Sequence, residues 1–345
     1  MRWRRSTFLL ILVFLFAFPH DCPAPLVYRP GEGWVYETPG EEGKWTRARA
    51  EDQLQVAEEA FAEGDYGLSI KASRRVVKVW PLSDYAPRAQ YLLARSYEGK
   101  GHDEKAFRSY QVLLEKYPKF ANAQEVLQRQ FEIANRYLAG KWFRLWGTIP
   151  FFPSMERTVA MYEKIVRNGP FSPVAPRAQM NIGAARENQR NFFNRIDPFR
   201  EAVQAYEKAA DRYHDNPEIA SEALFKAGMA YYRQARKADY DQSVAQQASA
   251  TFNDFIVLYP NHEQVPEAQA LMSELRTEQA RGFFMTARYY DKRDKVPAAM
   301  IYYNETYVQD PNGPYATQAR ERLAELRTQA GMPVTAAAPT PGPSP

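Results

Sequence analysis

The sequence predicts an all-α fold of about five to six stacked helix–turn–helix units, and three observations support this prediction. The pentapeptide APRAQ occurs twice, beginning at Ala86 and again at Ala175, which indicates a repeated architecture. Apolar residues recur at helical spacing through most of the chain. Glycine and proline also punctuate the helices regularly: 17 residues separate Gly64 from Pro81, and the next unit repeats this spacing.

The two ends of the chain differ from the middle. Basic MRWRR precedes the apolar run STFLLILVFLFAF, which is the order of an export signal and is shorter than the ~20 residues of a spanning helix. We therefore expect a signal peptide at 1–24, with a buried helix of the folded protein as the alternative. Residues 25–48 form a Gly/Pro-rich segment, the repeats occupy 49–329, and the uncharged Pro/Ala-rich tail at 330–345 is expected to be disordered.

Composition excludes several functional classes. The 45 basic and 41 acidic residues give a net charge of +4, which argues against a nucleic-acid-binding protein. A single cysteine excludes an internal disulfide framework and a cysteine-rich zinc site. The four histidines lack metal-binding spacing, and no nucleophile elbow, phosphate loop or dinucleotide fingerprint is present. An exported peptidoglycan lyase would need a separate catalytic domain, for which the repeats leave no room. We therefore expect no enzymatic activity, no metal and no cofactor.

The helices of the first two units are predicted from their apolar faces. Each ends in an aromatic residue followed by proline, which has no N–H to donate. A glycine precedes each of these helices, because a tight turn between helices favours a left-handed residue without a Cβ. The apolar positions are Leu68, Ile70, Val76, Val77 and Trp80 in the first unit, and Phe107, Tyr110, Leu113 and Leu114 in the second.

The second unit resembles a tetratricopeptide repeat, a pattern of 34 residues with alternating small and large slots. Small residues let paired helices approach closely, and tyrosines fill the space between successive pairs. The resemblance implies a solenoid that forms a right-handed superhelix with a concave face. The matching residues are Ala94, Tyr97, Gly101, Ala106, Tyr110 and Pro118.

Later units match the same pattern with longer loops. A closing helix through YATQARERLAEL follows the last of them. Within this arrangement, APRAQ is predicted to be the first turn of the first helix in two equivalent units, with Ser83 and Ser172 placed to cap it. The matching positions are Tyr162 and Pro170; Gly183, Ala202, Tyr206 and His214; Gly228, Tyr231, Phe252 and Pro260; and Ala287, Ala299, Tyr303 and Pro311.

The linkers WPLSDYAPRAQYLLARSY and YPNHEQVPEAQALM, together with ARYYDKRDKVPAAMIYYNETYVQDP, are similar to the BamD-type outer-membrane assembly proteins. The resemblance covers roughly Ala50 to Arg327. It implies a non-enzymatic scaffold at the periplasmic face of the outer membrane. Its implied partners are the barrel-assembly outer-membrane protein and unfolded β-barrel substrates.

The same resemblance implies lipid attachment through Cys22, which lies just after the apolar run. Asp21 precedes it, where the family pattern has a small residue, so membrane association through a bound partner is the alternative. The alternative function is a soluble periplasmic adaptor of the Tol–Pal or cell-wall coordination kind. Such adaptors often carry an N-terminal coiled coil, and the Gly/Pro-rich segment PLVYRPGEGWVYETPGEEGKW cannot form one.

Two groups of residues are predicted to bind partners. In a tetratricopeptide unit the first helix lines the groove, which places Arg88, Tyr91 and Arg95 there in the second unit and Phe131 and Asn135 in the third. Arginine beside aromatic residues suits the aromatic C-terminal strand of a barrel precursor, whose free carboxylate an arginine could hold; ordinary solvated helix residues are the alternative.

The second group is the aromatic segment AGKWFRLWGTIPFFPS, at 139–154, which interrupts the third unit. Clustered exposed aromatic residues mark interaction sites, so this segment is either a contact with a partner or the membrane, or a loop that fills a gap between helices. Its aromatic residues are Trp142, Phe143, Trp146, Phe151 and Phe152.

Overall fold

The computed structural model describes residues 26–36, 43–145, 149–152, 154–189, 197–237 and 242–331. Three predicted features lie outside these residues: the signal peptide with Cys22, the tail after residue 331, and Trp146. Phe151 and Phe152 are described only as part of a strand.

The described residues form thirteen α-helices and two small two-stranded sheets, which confirms the predicted all-α repeat fold. The strands are β1 (Leu26–Arg29), β2 (Gly33–Tyr36), β3 (Phe143–Leu145) and β4 (Ile149–Phe152). The helices are α1 (Ala50–Ala62), α2 (Tyr66–Val79), α3 (Ala86–Gly99), α4 (Asp103–Lys116), α5 (Ala123–Leu138), α6 (Met155–Asn168), α7 (Ala175–Glu187), α8 (Pro198–Arg212), α9 (Pro217–Lys237), α10 (Gln242–Leu258), α11 (Val265–Asp291), α12 (Val296–Gln309) and α13 (Ala316–Gln329).

The chain divides into two compact units. Of the described residues, the first unit contains those up to 126 and those within 145–149, and the second contains those within 127–144 and from 150 onward. In the first unit each helix from α1 to α4 packs against the next, and in the second unit the same holds from α6 to α13. Odd-numbered helices up to α11 are the first helices of six pairs, and α13 closes the array.

The turns within the pairs have the predicted left-handed backbone. Gly64 and Gly101 have φ angles of 80° and 71°, which confirms the reason for glycine at these positions. Asp294 occupies the corresponding turn between α11 and α12 with a φ of 55°. Aspartate tolerates this region better than most residues because its short polar side chain can bond locally.

The repeated APRAQ begins helices α3 and α7, as predicted, but the serine caps were predicted wrongly. The hydroxyls of Ser83 and Ser172 donate backward, to the carbonyls of Trp80 (2.9 Å) and Gly169 (2.6 Å). Tyr85 and Val174 occupy the cap positions, and neither makes a side-chain capping bond. The serines therefore close the end of the preceding helix rather than open the next one.

The glutamine of APRAQ also has one structural role in both copies. The Gln90 amide donates to the carbonyl of Ser109 (2.7 Å), and that of Gln179 donates to the carbonyl of Ala205 (3.1 Å). Both glutamines are 3% exposed. Each one therefore joins the first helix of a pair to the second helix through a buried hydrogen bond, which explains why the pentapeptide recurs.

Large aromatic side chains of the second helices pack directly on glycines of the first helices. A Cβ built on Gly183 would lie 2.6 Å from Cδ1 of Tyr206, and one on Gly228 would lie 2.6 Å from Cε1 of Phe252. Tyr206 is 2% exposed and Phe252 is fully buried. These two glycines therefore stand where the helices approach too closely for a side chain.

The N-terminal segment contains an antiparallel hairpin, β1 with β2, that docks on the first unit. Glu32 at its turn is 5% exposed, and its carboxylate accepts a hydrogen bond of 3.0 Å from the backbone N–H of Ala50, the first residue of α1. The backbone N–H of Asp84 donates to the carbonyl of Gly31 at 2.7 Å. The hairpin thus supplies the acceptor that the start of α1 needs.

Candidate functional site

Three predicted groove residues, Arg88, Tyr91 and Arg95, lie together on α3 in the first unit. Arg88 forms an ion pair with Glu58 of α1, with 2.5 Å between Nε and Oε1, while the Arg88 side chain stays 69% exposed. Four residues on, Tyr91 donates from its hydroxyl to Glu125, in the first turn of α5. Arg95 donates to the Tyr91 hydroxyl at 3.1 Å and lies 3.8 Å from the Glu125 carboxylate.

Aromatic rings surround this polar group. The guanidinium of Arg95 lies over the ring of Phe61, 5.6 Å from its centroid, and 5.8 Å from that of Tyr91. The Tyr91 ring lies 5.6 Å from the ring of Phe120. We call the group formed by Arg88, Tyr91, Arg95 and Glu125 the first-unit cluster. Its two arginines, acidic partners and aromatic rings share one side of α3.

The two other predicted groove residues belong to the second unit. The Asn135 side-chain carbonyl accepts hydrogen bonds from the Tyr162 hydroxyl at 2.6 Å and from the Asn181 amide at 2.9 Å. Phe131 meets the Tyr162 ring edge to face at 6.0 Å. Burial raises the pKa of Tyr162 well above its usual range, and the hydrogen bond from Asn181 opposes this only in part. The phenol therefore stays protonated and donates to Asn135.

Further polar contacts join first helices in the second unit. Arg177, which stands in the second APRAQ where Arg88 stands in the first, pairs with Glu218 and Glu222 of α9. The hydroxyl of Tyr232 donates to Glu274 of α11 at 2.7 Å, and burial together with this bond raises the pKa of Tyr232 to about 12. Side chains on the first helices therefore hold neighbouring repeats together through polar contacts.

The last contact of this kind joins α11 to the closing helix α13. Arg322 donates to both carboxylate oxygens of Asp291, at 2.8 and 3.0 Å, and the Tyr303 hydroxyl donates to the same carboxylate at 3.1 Å. The bonds from Arg322 and, more weakly, from Tyr303 lower the pKa of Asp291 despite its burial. A forked pair of this geometry is the strong form of an arginine–carboxylate contact.

We expect Arg322→Ala to lower the free energy of unfolding by about 1–2 kcal/mol at neutral pH, since the pair is partly exposed. The folded-state pKa of Asp291 lies below the unfolded value of about 3.9. The stabilisation is therefore complete at neutral pH and is lost as the pH falls through the folded-state pKa. Denaturation at several pH values should show the effect of the substitution shrinking in acid. Arg320→Ala, on the same helix, is the matched control, and an effect of Arg322→Ala that does not vary with pH would contradict the assignment.

The aromatic segment after α5 divides between surface and interior. Trp142 is 54% exposed, whereas Phe143 is 2% exposed. The Phe143 ring stacks on Tyr137 with 4.1 Å between centroids, and the guanidinium of Arg157 lies 5.4 Å from its centroid. Phe143 is thus a packing residue and does not contact a partner as predicted. Trp142 is exposed, and its contact with a partner stays a proposal.

Sequence reasoning missed the hairpin at residues 26–36. The signal was present: LVYR and GWVY flank a Pro-Gly turn, and each is a short run of β-branched and aromatic residues. Its glycines and prolines led only to the prediction of a Gly/Pro-rich segment without a coiled coil. The hairpin exposes two aromatic rings, those of Tyr28 and Trp34.

Two features are absent from the described part of the chain. It contains no group of three or more His, Cys, Asp or Glu side chains placed to hold a metal ion. It also contains no helix whose length and apolar character would let it cross a membrane.

A groove of about 780 Å³ lies among α6, α7 and α8 of the second unit. Arg186 on its wall pairs at 2.9 Å with both Glu156 and Glu201. The groove therefore holds an internal charge network centred on Arg186.

Comparison with known families gives two matches. The family model of the YfiO outer membrane lipoproteins matches residues 153–337. A tetratricopeptide-repeat model matches residues 88–119, the unit from which the repeat pattern was deduced. No curated protein matches the chain.

Several solved structures of repeat proteins are similar. Residues 41 to the end of MamA from Desulfovibrio magneticus are 13% identical, with 62% of this chain and 97% of that chain covered and a TM-score of 0.31. The C-terminal part of a repeat protein from Cytophaga hutchinsonii is 15% identical, with coverage of 79% and 87% and a TM-score of 0.33. A tetratricopeptide protein from Parabacteroides merdae is 11% identical, with coverage of 81% and 98% and a TM-score of 0.32.

Proposed function

This chain belongs to the YfiO family of outer membrane lipoproteins, whose model matches more than half of it, and we propose that it is a scaffold for outer-membrane protein assembly. In this proposal the signal is cut directly before Cys22 rather than after residue 24. The exported chain is attached to the periplasmic face of the outer membrane through Cys22 and has no enzymatic activity. It binds the barrel-assembly protein and unfolded β-barrel substrates. Membership of a lipoprotein family favours this function over that of a soluble adaptor of the Tol–Pal kind.

The first-unit cluster is the observation that best supports binding of an unfolded chain. Arg88 remains 69% exposed although it is paired, and Arg95 lies 3.8 Å from its carboxylate partner, which is longer than a direct hydrogen bond. A peptide carboxylate could therefore replace Glu58 or Glu125 on these guanidinium groups. The rings of Tyr91 and Phe120 lie beside them and offer apolar contact to a terminal aromatic residue.

A peptide with the aromatic C-terminal sequence of a barrel strand provides the test. We expect it to bind the wild type, and we expect Arg88→Ala/Arg95→Ala to weaken binding about tenfold or more, the loss of one or two charge-assisted contacts. Amidation of the peptide C-terminus should weaken binding to the wild type and leave binding to this variant unchanged. Fluorescence anisotropy of the labelled peptide measures all four affinities.

The matched control is Arg177→Ala/Arg233→Ala in the second unit. Arg177 and Arg233 also lie on first helices and pair with glutamates of neighbouring first helices. The control therefore removes three interhelical ion pairs, compared with two in the test variant, so a loss of binding caused only by lost ion pairs would be at least as large in the control. Equal affinities in both double variants, or an amidated peptide that binds as well as the free acid, would exclude the first-unit cluster as the carboxylate site.

Trp142 is proposed as a second contact with a protein partner. Its indole is 54% exposed, and the neighbouring Phe143 is anchored in the interior by its stacking on Tyr137. The backbone that carries the indole is therefore held in place, and a fixed exposed indole is a common anchor in protein interfaces.

A further inference from the structure

The N-terminal hairpin exposes an apolar face of three residues. Tyr28 on β1 stands opposite Trp34 on β2, and their rings meet edge to face with 5.4 Å between centroids. Trp34 is 67% exposed and Tyr28 is 59% exposed, and Leu26, two residues earlier on the same strand, is 49% exposed. Side chains two residues apart on a strand point to the same side. We call this surface the hairpin face.

The hairpin is firmly attached to the first unit from its opposite side. Glu32 is buried, accepts a hydrogen bond from the Ala50 backbone and lies 3.6 Å from Arg29. The bond from Asp84 to the Gly31 carbonyl ties the turn of the hairpin to the connection between α2 and α3. The direction of the hairpin face is therefore fixed relative to these helices.

The position of the hairpin in the chain limits how far it can lie from the membrane. Leu26 is four residues after Cys22, and four fully extended residues span roughly 14 Å. A chain attached to the bilayer at Cys22 must therefore keep the first strand of the hairpin within this distance of the attachment point. The headgroup region is the layer that the hairpin face can reach.

The chemistry of the hairpin face matches that layer. Tryptophan and tyrosine carry a large apolar ring with one polar group, and they concentrate at membrane–water interfaces for this reason. A leucine beside them adds apolar area without a charge. Tyr28 and Trp34 thus combine high exposure, fixed direction and a preference for the environment that the chain brings within reach.

We propose that the hairpin face inserts into the headgroup region of the bilayer to which Cys22 is attached. This contact fixes the orientation of the first-unit helices on the membrane, which attachment at the single point of Cys22 would not do. The inference rests on the proposed function in one respect only, namely that Cys22 lies at the membrane.

The test places Cys22 at the membrane chemically, so that it does not depend on acylation in the cell. Cys22 is the only cysteine, and the chain from Cys22 onward, without the export signal and its Trp3, is therefore coupled through it to a maleimide-bearing lipid in phospholipid vesicles. The vesicles contain lipids brominated near the headgroup, which quench nearby tryptophan fluorescence. We expect stronger quenching in the wild type than in Trp34→Phe, and no such difference in vesicles without bromine.

Trp142→Phe is the matched control, because Trp142 is also exposed and lies on a different segment. It should be quenched as strongly as the wild type. Equal quenching of the wild type and Trp34→Phe would overturn the proposal. Loss of quenching in Trp142→Phe alone would place the segment after α5, and not the hairpin, at the membrane. Mass spectrometry of the native N-terminus tests the lipid attachment separately. Failure of the hairpin proposal can therefore be distinguished from failure of the proposed attachment through Cys22.

Discussion

Gly183→Ala should destabilise the second unit by about 1–3 kcal/mol, the usual cost of overpacking a core. The added methyl would meet the Tyr206 ring, with 2.6 Å to Cδ1 and to Cζ. Tyr206 is 2% exposed and belongs to the buried cluster between α7, α8 and α9, so the ring cannot move without opening a cavity elsewhere. Chemical denaturation followed by far-ultraviolet circular dichroism measures this effect.

Gly282→Ala is the control for this substitution. A Cβ there would meet only the end of the Gln242 side chain, at 3.0 Å, and Gln242 is exposed and can move. Alanine is better than glycine in a helix interior by about 1 kcal/mol, so this variant should be as stable as the wild type or more stable. If both variants gain stability, Gly183 does not pack closely against Tyr206.

A double-mutant cycle tests whether the Tyr206 ring causes the destabilisation expected for Gly183→Ala. Tyr206→Leu removes the ring and is itself destabilising, but it removes the obstacle to a methyl group at residue 183. The cost of Gly183→Ala should therefore be much smaller in the Tyr206→Leu background, because contacting residues show non-additive effects.

Cys22→Ser should release the protein from the membrane fraction into the soluble periplasmic fraction. The proposed lipid is joined to the cysteine sulfur through a thioether, and serine cannot form one. Mass spectrometry of the wild-type N-terminus should find a diacylglyceryl group on Cys22, and fractionation should place Pro23→Ser, a neighbouring control, with the membranes. A membrane-bound Cys22→Ser protein would support attachment through a partner, and an unmodified Cys22 in the wild type would exclude acylation.

The helices and their order could be predicted from the sequence because their causes are local. Apolar periodicity, glycine at Gly64 and Gly101 and proline at the ends of the pairs act over a few residues, and the structure places helices and left-handed turns at these points. Small residues facing large ones, such as Gly183 and Tyr206, could be recognised by their spacing alone. The family, too, was indicated by motifs in the linkers.

Side-chain partners depended on neighbours far along the chain, and the sequence did not determine them. Ser83 was placed correctly next to a helix start, but its hydroxyl bonds the preceding helix because Trp80 presents a carbonyl there. Arg95 was assigned to an open groove, and its pairing with Glu125 arises only because the fold brings the first turn of α5 next to α3. Phe143 and Trp142 are adjacent and equally apolar in sequence, yet only packing on Tyr137 buries one of them. Helix formation is a property of short segments, whereas burial and ion pairing depend on which segments the fold brings together.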